Sequence, residues 1–61
     1  MTAKNLEKLI ESGGWFFVRQ KGSHKIYKHK LIKGIVVIPF YGKKDIPIGT
    51  LESILKKAEI Q

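Results

Sequence analysis

Apolar positions along the chain change period twice. Ala3, Leu6, Leu9, Ile10 and Gly13 recur at helical spacing, which predicts a first helix over residues 3 to 12. Thr2 is placed to cap its start and Gly13 its end. Trp15-Phe16-Phe17-Val18-Arg19-Gln20 is then rich in aromatic and β-branched side chains and reads as a strand. Lys21-Gly22-Ser23 breaks it as a tight hairpin turn, and His24 to Lys30 follows as a second strand of mixed polarity. Lys33-Gly34 marks another turn. Ile35-Val36-Val37-Ile38 is an unbroken apolar strand ended by Pro39, which predicts a strand that is well covered or pairs centrally. Residues 40 to 47 read as a loop. Leu51, Ile54, Leu55 and Ala58 then fall at i, i+3, i+4 and i+7 of an amphipathic helix. Glu52 near its start and Lys56-Lys57 near its end suit the helix dipole, and Glu52 with Lys56 forms a favourable i, i+4 pair.

The predicted order is α-β-β-β-α. Two short connections make the strands an antiparallel meander. Two helices with apolar stripes bury them most economically on one sheet face. The fold class is therefore α+β: a three-stranded antiparallel sheet with two helices on one face, built as one domain over residues 1–61. The other sheet face is left for a partner. Trp15, Phe16 and Phe17 cannot all face outward. The core is expected for most of them, although aromatics here would also suit stacking on bases. Tyr27 points opposite to His24 by strand parity, which favours the core.

With 61 residues, the chain buries only about 60% of its unfolded surface and has little room for an enclosed cavity. It has no cysteine, so no disulfide staples it and no thiolate serves as nucleophile or zinc ligand. That usage fits the cytoplasm. The N-terminus does not read as a signal peptide, and no apolar stretch approaches the ~20 residues needed to span a bilayer.

Charge changes the picture most. Twelve Lys and Arg against five Asp and Glu leave +7, with a pI near 9.9, a field that attracts polyanions. Arg19, Lys21, Lys25, Lys28, Lys30 and Lys33 crowd the middle, with Lys43 and Lys44 close behind. A membrane-surface segment would carry them on an amphipathic helix, whereas this region reads as strand.

Among the side chains in that basic region, His24 is the candidate catalyst. It leaves a turn made by Gly22 and Ser23 and enters a strand. Glycine permits close backbone approach to a ligand, and Ser23 adds a hydroxyl and a backbone donor for a phosphate. Lys21 and Lys25 flank the histidine in sequence. Imidazole suits proton transfer at neutral pH. Cleaving RNA needs little more: a base takes the 2′-hydroxyl proton while cations stabilise charge developing on the phosphate. His29 lies five residues on, roughly 16 Å along a strand and on the opposite face, so it is expected to be a surface strand residue rather than a second catalytic group. Glu7, Glu11, Glu52 and Glu59 fall on helix surfaces and Asp45 caps a turn or the last helix, so no carboxylate cluster for a metal is expected.

Gly22-Ser23-His24-Lys25-Ile26-Tyr27, Lys43-Lys44-Asp45-Ile46-Pro47 and Gly49-Thr50-Leu51-Glu52-Ser53-Ile54-Leu55-Lys56 together resemble the HicA toxins of type II toxin–antitoxin systems over nearly the whole chain. The resemblance implies a minimal double-stranded-RNA-binding fold. It also implies a metal-independent mRNA endoribonuclease needing no cofactor, which arrests translation and growth until a HicB-type antitoxin neutralises it. The family's catalytic histidine falls on His24. Many relatives carry a second histidine where this chain has Lys25. RNA contacts are expected from Lys21, Gly22, Ser23, Lys25, Lys28, Lys43 and Lys44, with no membrane partner and no DNA bound by the toxin alone. The alternative is a non-catalytic double-stranded-RNA-binding module of the same fold.

Overall fold

A computed structural model of the chain describes residues 1–60. Helix α1 runs over Ala3–Ser12, and the Thr2 hydroxyl caps it by accepting from the Asn5 N–H at 3.3 Å. Gly13 follows at φ −90°, and Gly14, at φ +99°, reverses the chain. Gly14 N–H donates to Glu11 O and Trp15 N–H to Ile10 O, both at 3.1 Å. Those paired bonds form a Schellman motif, which brings Trp15 against Ile10. Both residues are buried in the core.

Strands β1 (Phe16–Lys21), β2 (His24–Lys28) and β3 (Ile35–Pro39) form an antiparallel meander in the order β1-β2-β3. The sheet's central strand is β2. The apolar run of β3 thus lies at an edge rather than centrally, and its cover comes from the helices on one face. Helix α2 spans Ile48–Lys57. Its end repeats the first motif: Ile60 N–H donates to Leu55 O at 2.9 Å and Glu59 N–H to Lys56 O at 3.1 Å. Here a non-glycine residue, Glu59, takes the left-handed position at φ 57°.

Both helices cover the same sheet face. Leu6 and Ile10 of α1 and Ile54 of α2 meet Tyr27, Val36 and Ile38, with Trp15, Ile46 and Ala58 closing the cluster. The Trp15 indole N–H donates to the Ala58 carbonyl at 3.1 Å, tying the start of β1 to the end of α2.

Several local expectations are corrected. Of the three adjacent aromatics only Trp15 enters the core; Phe16 and Phe17 are 46% and 48% exposed, Phe16 on the sheet face that no helix covers and Phe17 on the edge strand beside Tyr27. Asp45 caps neither a turn nor α2. It pairs with the N-terminal ammonium at 3.3 Å, while Pro47 occupies the α2 N-cap without a side-chain bond. Glu52 and Lys56 form no ion pair within 4.0 Å; the pairs among the described residues are Met1–Asp45 and Lys25–Glu7.

Candidate nucleic-acid interface

Cross-strand register assigns the faces, because directly paired residues project to the same side. Tyr27 pairs with Phe17 and Val36, and Lys25 with Gln20 and Ile38, on the helix-covered side. The remaining pairs build the open side in three rows: Phe16, Lys28 and Ile35; Arg19, Ile26 and Val37; Lys21, His24 and Pro39. Ile26 is 8% exposed yet stands outside the core cluster, so its neighbours on the sheet close over it.

A bulge decides who joins this face. The β1–β2 register shifts between Phe17 and Arg19, leaving Val18 without a partner on β2. Strict alternation would put Phe17 with Arg19 and Lys21. The extra residue sends Phe17 to the helix side instead, where its ring meets Tyr27 edge-on at 5.8 Å, and sends Phe16 to the side of His24. An inserted residue is the usual way for a strand to re-aim a side chain.

His24 stands exposed at the hairpin end of β2. The turn beside it has Gly22 at φ +61°, whereas Ser23 is not among the left-handed residues, the pattern of a II′ hairpin. A Cβ on Gly22 would meet nothing within 4 Å, so the glycine answers to backbone angle rather than crowding. Ser23 O accepts from Phe40 N–H at 2.9 Å and Gly22 O from the Gln20 amide at 2.9 Å. Both bonds fix the turn from outside. The loop carrying the exposed Lys43 and Lys44 therefore leaves the sheet at the His24 end.

The lysines that flank His24 in sequence part company. Lys21 is its direct cross-strand partner. Lys25 projects to the helix side, where its ammonium lies 3.0 Å from Glu7. The same carboxylate accepts from the Tyr27 hydroxyl at 2.7 Å, with Glu11 at 3.4 Å. Burial pushes the Tyr27 phenol well above its usual range, and the bonds to Glu7 and Glu11 add to the shift. Tyr27 and Lys25 thus belong to a structural network behind the sheet. Lys28 stays on the open face, joined there by Arg19, a cation the candidate RNA contacts lacked. Strand parity with Lys21 was the available signal for Arg19.

His29 is no surface strand residue. β2 ends before it, and its ring is half-buried. Nδ1 accepts from Leu31 N–H at 3.0 Å and Ile32 N–H at 3.2 Å, so Nε2 carries the proton donated to Gly13 O at 3.0 Å. Trp15 packs edge-on at 5.3 Å. His29 organises the β2–β3 turn. Among the described residues no three His, Asp or Glu side chains group closely enough to hold a metal ion, and no helix is long and apolar enough to cross a membrane.

A family model described as HicA toxin of bacterial toxin-antitoxin matches residues 3–60. No curated protein matches the chain.

Proposed function

We propose that this chain, which belongs to the HicA toxin family, cleaves mRNA on the open face of its sheet with His24 as general base. Membership makes it the toxin of a toxin–antitoxin pair with an antitoxin partner. The observation that carries the RNA-cleaving reading is the row Lys21–His24 at the end of a face that also holds Arg19 and Lys28.

In this mechanism the imidazole takes the proton of a ribose 2′-hydroxyl. The freed oxygen attacks the adjacent phosphorus, the bond to the 5′-oxygen breaks, that oxygen takes a proton from solvent water, and the imidazolium returns its proton to solvent. A 2′,3′-cyclic phosphate and a 5′-hydroxyl end result. Lys21, across the strand pair, stabilises charge on the phosphate oxygens, and Arg19, Lys28, Lys43 and Lys44 hold flanking phosphates. Gly22 and Ser23 bring backbone close to the scissile group. A positioned base supplies roughly 10²–10⁴-fold, so the enzyme is a modest one. The chemistry needs no metal or cofactor and takes place in the cytoplasm, where its substrate is. A HicB-type antitoxin presenting acidic side chains would cover this face and His24 together.

Expression in cells tests the reading. Wild type arrests growth with fragmented mRNA, His24→Ala does neither, and co-expressed antitoxin rescues the wild type. Purified wild type keeps cleaving in EDTA. Growth arrest by His24→Ala, or loss of cleavage in EDTA, contradicts the mechanism.

A further inference from the structure

We infer that Phe16 is a base-stacking site for single-stranded RNA lying along the open sheet face. The inference rests on the RNA-cleaving reading and names its substrate conformation. Four observations carry it. The bulge at Val18 is what places Phe16 on the side of His24, and without it the ring would face the other way. Phe16 is 46% exposed, and no helix covers that face. Its row partner is Lys28, and Arg19 stands in the next row, so an aromatic ring sits among cations. That combination suits a single strand, whose phosphates need positive charge and whose unstacked bases offer a π-face; a duplex keeps its bases stacked on each other. Finally, the spacing fits. Four residues along β2 and one strand across put Phe16 roughly 14 Å from His24. A stacked strand rising about 3.4 Å per nucleotide covers that in about four steps, and an extended one in fewer.

Phe17 marks the contrast. It is equally exposed, yet it lies on the helix side against Tyr27, away from the cations of the open face.

The test is cleavage of oligoribonucleotides of increasing length by wild type, Phe16→Leu and Phe16→Tyr, with thermal unfolding checking each variant. On a dinucleotide the three enzymes match. On a hexanucleotide Phe16→Leu loses about tenfold in kcat/KM, carried by KM, while Phe16→Tyr keeps wild-type values. An abasic nucleotide two to four positions from the cleaved bond costs the wild type a similar factor and Phe16→Leu nothing. No length-dependent loss in Phe16→Leu, or an equal loss on the dinucleotide, overturns the stacking site and leaves the RNA-cleaving reading standing. Unchanged RNA kinetics with lost antitoxin binding also overturns it, in favour of a protein contact. Absence of any wild-type cleavage overturns both.

Discussion

At His24 the two neighbouring lysines are separated by the sheet itself. Lys21 shares its face and Lys25 is held behind it by Glu7. Lys21→Gln is therefore expected to lower kcat by about tenfold or more through lost charge stabilisation. Lys25→Gln is expected to leave kcat near wild type and to lower stability instead, and single-turnover cleavage alongside urea unfolding separates the two. Tyr27 gives a pH signature. Its phenol is harder to ionise folded than unfolded. The folded state thus holds that proton more tightly, so the contribution is intact below the unfolded phenol's pKa of about 10 and fades as pH rises beyond it. Melting temperatures of wild type and Tyr27→Phe should differ at neutral pH and converge above about pH 10. Parity along the strand was enough to place Tyr27 in the core and His24 opposite it. The faces of Phe16 and Phe17 could not be read that way, because nothing local in Phe17-Val18-Arg19 announces the bulge.

Elements here end on backbone geometry as much as on apolar pattern. The stripes of both helices were legible from their helical period and the three strands from β-branched and aromatic runs bounded by glycine turns, and Thr2 capped α1 as its position implied. The reversal at Gly14 was legible only as a glycine near the right place, and the role of His29 was not legible at all. Its ring takes its job from Gly13, Leu31 and Ile32, which converge only after folding. Two consequences follow for stability. Gly14→Ala places a methyl 2.6 Å from His29 Nε2 at φ +99° and should cost about 1–3 kcal/mol in urea unfolding; His29→Ala removes the acceptor of the Leu31 and Ile32 N–H groups and should cost about 1 kcal/mol. The His29 variant should still cleave RNA, unlike a variant of His24. In the opposite sense, Glu59→Gly relieves the left-handed strain at the end of α2 and should raise stability by up to about 1 kcal/mol.

At the scale of the whole molecule, charge and cover are divided between the two faces of one sheet. Burying both helices on the Tyr27 side leaves the His24 side with its cations unscreened. In the proposed function the net charge of +7 calls for an anionic partner, and the register puts Arg19, Lys21 and Lys28 on the face that would meet it. With roughly four phosphates contacted on a single strand, the log–log dependence of binding on salt should have a slope near −3, whereas a flat response would mean the charge plays no part in binding.

The most direct test of the central claim uses purified wild type and His24→Ala on one single-stranded RNA, with cleavage and equilibrium binding measured side by side. His24→Ala is expected to bind within about twofold of wild type, since phosphate contacts and not the imidazole carry affinity in the proposed mechanism, while cleavage falls by at least about a hundredfold. Cleavage by His24→Ala at the wild-type rate would contradict it.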